Sequence, residues 1–268
     1  MPGNLRAMVD TESVPRLRDI VATRYVTPLR EGGSLPALVE ADDDGLYVLK
    51  FRVAGQGRKA LVAEVIAGEL GRSLGLPIPE LVTLELDARL GRTEPDAEIQ
   101  HLIVSSVGRN LGVDFLPGAL PYNPAVPDPV DPAFAADVVW FDALVTNVDR
   151  TPRNPNLLRW HERLWLIDHG AALYLQHAWT VPEDAALRPF HDVGLHVFMP
   201  MAASIMEADE RLRAQVTEGL IERVVAAVPD EWLGDDPDAD RQGYVAYLCR
   251  RAGSMKFAEE AEEQRVAA

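Results

Sequence analysis

Between Asn147 and Gly170 the chain alternates short polar turns with apolar segments, and this stretch restricts the fold more than any other. Asp149 and Asn154 lie in Asn147-Val148-Asp149-Arg150-Thr151-Pro152-Arg153-Asn154-Pro155-Asn156, and Asp168 follows the strand-like Leu164-Trp165-Leu166-Ile167. Taken singly, Asp, Asn and Pro here build turns, and Asp168 caps whatever follows it. Taken together, two carboxylates and an amide on turns beside apolar segments can hold a proton acceptor and a hard cation within a few ångströms of each other. Such an arrangement needs a scaffold that brings these turns together, and a cation elsewhere in the chain to face them.

Lys50 is the candidate cation. Leu35-Pro36-Ala37-Leu38-Val39-Glu40 and Gly45-Leu46-Tyr47-Val48-Leu49-Lys50-Phe51-Arg52-Val53 flank the acidic turn Asp42-Asp43-Asp44-Gly45, the pattern of a β-hairpin. Strand alternation puts Tyr47, Leu49, Phe51 and Val53 on a core face and Leu46, Val48, Lys50 and Arg52 on the other. A strand lysine facing water is the plainer account of Lys50 alone. A partner changes that account. The segment from Arg58 to Arg72 is predicted to be a helix, ended by Gly75, Pro77 and Pro79, and Glu64 interrupts its apolar run on the stripe with Leu61, Val65 and Gly68. A carboxylate there needs a counter-charge, and Lys50 is the nearest upstream candidate. Glu69, on another face, is predicted to be solvated.

Leu81–Leu86 and Ile99–Ser106 read as two more strands, and Tyr25-Val26-Thr27 as the start of a first one. Val107-Gly108-Arg109-Asn110-Leu111-Gly112 reads as a hinge, followed by a proline-rich surface segment at 117–132. Two parts follow, 1–108 and 109–268. The second is predicted to be mostly helical, with an amphipathic helix over Phe134–Val145 and others within Met201–Val228 and Arg241–Gln264. The acidic run from Pro229 to Asp240 reads as a solvated loop.

Several function classes are disfavoured. A formal net charge of -16 over 268 residues argues against direct binding of nucleic acid or of an anionic membrane face. No apolar run approaches the roughly 20 residues needed to span a bilayer. Cys249 is the only cysteine, which precludes an intramolecular disulfide and suits a cytoplasmic location. His161, His177, His191 and His196 lack the spacing of a helical metal-ligand pair, and each reads as surface or core.

The aspartate with an asparagine five positions on, and the Asp168-His169-Gly170 after an apolar strand, resemble the catalytic core of the protein-kinase-like fold, most closely the HipA-like kinases. With Lys50 and Glu64 the resemblance covers about 25–175. It implies a two-lobed α+β fold: a small antiparallel sheet with one helix forming a nucleotide-binding lobe over 1–108, and a mostly helical catalytic lobe over 109–268. It implies that Asp149 orients and accepts the proton of an attacking hydroxyl, Asn154 and Asp168 hold magnesium, Lys50 contacts the phosphates of ATP, and Glu64 anchors Lys50. Gly32, Gly33 and Ser34, in Glu31-Gly32-Gly33-Ser34, would be the phosphate-covering turn. The implied acceptor is a serine or threonine of a protein. A small-molecule acceptor of aminoglycoside or choline type, or a nucleotide-binding pseudokinase, are the alternatives. The chain departs from the common protein-kinase pattern at Asn147, Val148 and His169, and places Arg150 after the aspartate, an order closer to HipA-type and phosphoinositide-type kinases.

Overall fold

The computed structural model describes residues 17–29, 35–177 and 182–268. The expected hairpin is present. β2 (Ala37–Ala41) and β3 (Leu46–Lys50) pair antiparallel, with Ala37 opposite Leu49 and Glu40 opposite Leu46. Its turn closes where Asp44 takes a left-handed φ of 62° and the Asp43 carboxylate accepts the Gly45 N–H at 3.0 Å. Tyr47, Leu49 and Phe51 are buried, as the alternation predicts, while Val53 lies beyond the strand and is exposed.

The sheet differs from the small antiparallel one expected. β1 (Arg18–Pro28) pairs antiparallel with β2 and parallel with β4 (Leu81–Leu86), in register from Arg18 opposite Val82 to Val21 opposite Glu85. β5 (Gly108–Asp114) lies between β3 and β4, antiparallel to both, so the order β1-β2-β3-β5-β4 closes into a barrel. β1 makes the closure with its two halves, Arg18–Val21 on β4 and Ala22–Pro28 on β2. Ile20, Ala22, Val39, Leu49, Phe51, Val82 and Leu84 fill the interior.

Two adjacent expectations fail for one reason. Ile99–Ser106, expected as a strand, lies largely in α2 (Ala97–Ser105), where the Asp96 carboxylate accepts the Glu98 N–H at 3.0 Å and Ile99 and Ile103 are buried one turn apart. The β-branched content of 99–104 favours a strand, but the cap and the i, i+4 burial favour a helix, and they win. The pairing role passes to 108–114, so the expected hinge is a strand bonded on both sides. A division at 108 would fall on its first residue. The barrel is accompanied by a second helix, not one alone.

α1 (Arg58–Ser73) forms where the composition places it. Every residue from Leu61 to Gly71 is buried, because the helix is packed on the barrel strand β4 on one side and on α6 (Glu218–Ala226) on another. Glu69 is therefore buried rather than solvated. It sits 3.3 Å from Arg72, and burial pushes its carboxyl up from the ordinary value.

The remainder is mostly helical, with α3 (Pro132–Val145), α4 (Pro182–Ala186), α5 (Ile205–Leu212), α7 (Pro237–Ala252) and α8 (Lys256–Ala267) beside α6. A three-stranded sheet of β6 (Leu120–Pro121), β7 (Leu157–Trp160) and β8 (Arg163–Leu166) sits among them. One apolar core runs from α1 through α3 to α8. The acidic run 229–240 is more than a solvated loop. Trp232 is buried and its indole N–H donates to the Arg109 carbonyl at 3.2 Å, while Arg58 donates to the Glu231 carbonyl at 2.8 Å. Among the described residues no helix is long and apolar enough to cross a membrane.

Candidate active site

The site is built where α3 ends. Pro132 opens that helix behind an Asp131 cap, and Thr146 stops it in a left-handed conformation at φ 51°, turning the chain into Asn147. Asn156, Asp168 and Leu173 are also left-handed, at φ 50°, 56° and 53°. With His161 and Glu162 these make six non-glycine residues in this region between Thr146 and Leu173, a backbone that the surrounding contacts must hold in place. β7 and β8 form the intervening hairpin, its two-residue turn His161-Glu162 having φ of 44° and 61°, and β8 delivers Ile167 and Asp168.

Asp149 and Asn154 meet directly. The Asn154 side-chain amide donates to Asp149 Oδ2 at 2.8 Å, and Asn156 Nδ2 approaches the same oxygen at 3.4 Å. Thr151 N–H donates to the Asp149 carbonyl and Asn154 N–H to the Thr151 carbonyl, at 3.0 and 3.1 Å, which fixes the turn between them. Asn154 thus directs its nitrogen to the carboxylate, so its oxygen is the atom left for a cation.

Lys50, Glu64 and Asp168 form the second group. Lys50 Nζ donates to Asp168 Oδ1 at 2.8 Å and to Glu64 Oε1, so the expected pairing with Glu64 holds and Asp168 shares it. Burial opposes the charge on both members of the pair. For Lys50 the Glu64 and Asp168 carboxylates outweigh burial and raise the ammonium pKa; for Glu64 the Lys50 charge and the His169 contact outweigh it and hold the carboxyl well below the usual range. Glu64 is almost fully buried whereas the Asp168 side chain is 48% exposed, so one carboxylate is a fixed anchor and the other is open to solvent. His169, where a phenylalanine is common, is buried with Nδ1 3.7 Å from Glu64 Oε2 and its ring edge-on to Phe141.

The two groups are joined through Asp142, which belongs to none of the motifs, together with Arg150, Asn147 and His196. Asp142, in an otherwise apolar helix, is fully buried and accepts from Arg150 Nε at 2.6 Å, Asn147 Nδ2 at 3.0 Å and His196 Nε2 at 2.9 Å. His196 Nδ1 accepts the Phe198 N–H, so its proton sits on Nε2; burial pushes the imidazole pKa down, against the pull of Asp142, and the ring is neutral. Burial also opposes the charge of Asp142, but Arg150 and His196 outweigh it and keep the carboxyl well below its ordinary value. The signal in the sequence was the one that exposed Glu64: an acid inside an apolar helical run. Gly32, Gly33 and Ser34 lie outside the described residues.

A profile of the HipA-like kinases matches residues 23–250. The chain belongs to the HipA-like kinase family. With that membership it is a kinase, and its fold agrees. The structure of the proinflammatory kinase CtkA from Helicobacter pylori superposes with a TM-score of 0.61, over 93% of this chain and 99% of that one, at 13% sequence identity. The Golgi casein kinase, solved with Mn/ADP bound, aligns with a TM-score of 0.48 and 13% identity over 94% of this kinase and 75% of its own chain. No curated protein matches the sequence.

Proposed function

We propose that this HipA-like kinase transfers the γ-phosphoryl of ATP, with magnesium, to a hydroxyl, and that the acceptor is a serine or threonine of a protein. One observation carries the reading: a lysine pinned between a buried glutamate and an exposed aspartate, tied through the buried Arg150 to an aspartate–asparagine pair on a rigid turn. Asp149 orients the hydroxyl and accepts its proton; Oδ2 is taken by Asn154 and Asn156, and no described residue donates to Oδ1. Lys50 reaches the phosphates, with Glu64 holding its ammonium in place.

Asn154 and Asp168 are the residues for the metal. The described residues contain no group of three His, Cys, Asp or Glu side chains placed to hold an ion, so a preformed protein cage is not what they offer. One carboxylate and one amide oxygen suit magnesium, which keeps several waters and takes the rest of its ligands from phosphates. When bound it would neutralise charge on the transferring group. One departure from the common kinase pattern has a local reason: Asn147 bonds both Asp142 and the Asp149 N–H, a structural task that leaves Asp149 free to act.

The test is thermal stabilisation by ATP with and without magnesium, paired with transfer to casein and to aminoglycoside or choline. A ligand at about 100 times its Kd adds roughly 2.7 kcal/mol to folding stability. Asp168→Ala should lose the magnesium-dependent part, and Asp149→Ala should bind but not transfer. Label in the small molecule alone selects the small-molecule reading, and binding without transfer by wild type selects a pseudokinase. Absence of any nucleotide-dependent shift in folded wild type overturns the proposal.

A further inference from the structure

Arg150 is wired to both halves of the site although it touches neither the reacting carboxylate nor the lysine. Its side chain is fully buried. Nε donates to Asp142 Oδ2 at 2.6 Å, and Nη1 donates to two carbonyls, Asn156 at 2.5 Å and Ile167 at 3.3 Å. Asn156 is the left-handed residue whose amide reaches Asp149. Ile167 immediately precedes the left-handed Asp168, and its own N–H donates to the Asn156 carbonyl at 3.0 Å. The Arg150 carbonyl in turn accepts the Val197 N–H at 2.9 Å, which locks the segment beside His196.

We propose that Arg150 is a positioning residue that sets the register of the proton-accepting turn against the metal-binding turn, with Asp142 and His196 as its anchor. The catalytic consequence rests on the kinase reading above; the geometric claim does not. Three features support it. A planar guanidinium can reach a carboxylate and two carbonyls in different directions at once, whereas an ammonium on a flexible stem cannot hold that fork. A buried ion pair gains little net stability over apolar packing of the same volume, so what this pair supplies that leucines would not is directional geometry. Finally, the anchor is itself over-determined, since Asp142 accepts from three side chains and one of them, Asn147, also accepts the Asp149 N–H at 3.2 Å.

The experiment uses the full chain carrying Arg150→Lys, Asp142→Asn or both. By hydrogen exchange, peptides spanning 147–157 and 166–170 should lose protection together in Arg150→Lys while those of the barrel strands keep theirs. Under conditions where each variant is fully folded, kcat should fall about 100-fold, the order expected for a misplacement of about 1 Å, with a several-fold smaller change in KM for ATP. The double variant should be no slower than either single one, because the two residues act as a unit. Loosening of only one peptide, or of neither, overturns the register claim whatever the activity. A kcat per folded molecule equal to wild type, or losses that multiply in the double variant, overturns it as well. If wild type transfers no phosphoryl group, the kinase reading fails on its own and the exchange pattern still decides this one.

Discussion

Lys50 shows how far a single residue depends on its neighbours. On its strand it is a half-buried cation, and two carboxylates from elements far along the chain determine what it can do. Glu64 and Asp142 are alike in kind, each an acid sunk in an apolar helix, yet one pairs with an ammonium and the other with a guanidinium. His196 makes a prediction at this scale. Its folded pKa is depressed by burial, so the native ring stays neutral where the unfolded chain, titrating near about pH 6.5, takes up a proton. Its contribution to stability is therefore complete above that pH and lost as the pH falls through it, at up to about 1.4 kcal/mol per pH unit. Asp142 acts lower: its depressed carboxyl pKa adds stability that is present above about pH 4 and lost below. In urea denaturation, His196→Gln should flatten the fall in stability between pH 7 and pH 5 relative to wild type. Parallel curves for the two proteins would exclude it.

At the scale of elements, α1 is the informative case. Its existence follows from Ala, Leu and Glu content, but its glycines are explained only by what they touch. A Cβ on Gly71 would meet Ile78 Cδ1 at 2.5 Å and Phe141 Cζ at 3.0 Å, so this glycine leaves room for those two side chains against α1. Gly71→Ala gains about 1 kcal/mol of helix propensity and loses about 1–3 kcal/mol to overpacking against Ile78 and Phe141. The expected result is a net loss of about 1 kcal/mol in the urea midpoint analysis, and a gain would show that Ile78 and Phe141 can move aside. α2 and β5 show the opposite failure. Local β-branched content named the wrong one as the strand, because the choice depended on which segment could reach between β3 and β4.

For the whole molecule, the continuity of the core decides how it folds. α1 shares one apolar core with α3 to α8, and β5 supplies the strand between β3 and β4. A fragment of residues 1–108 would lack that strand and leave the α1 residues Leu61, Val65 and Leu70 without their partners. It is expected to show an unfolded far-UV circular dichroism spectrum, while the full chain unfolds in one transition seen equally by its five tryptophans and by its helices. A cooperatively folded 1–108 would contradict the shared core.

The order of the elements around the site, the Lys50 hairpin, the α1 helix and the Asp149-to-Asn154 and Asp168 spacings were all legible in the residues. They depend on local rules: alternation along a strand, apolar spacing on a helix, and turn-forming residues at fixed intervals. Beyond the Lys50–Glu64 pair, the partnerships across the chain needed the tertiary structure: the parallel closure of β1 on β4, the sharing of Lys50 with Asp168, and the clamp of Asp142, Arg150 and His196. These join residues from 8 to 118 positions apart, and local pattern separates a buried acid from a solvated one only in part: it marks Glu64 and Asp142 but assigns the buried Glu69 to water. That distinction is made by desolvation, which exists only once the elements have packed.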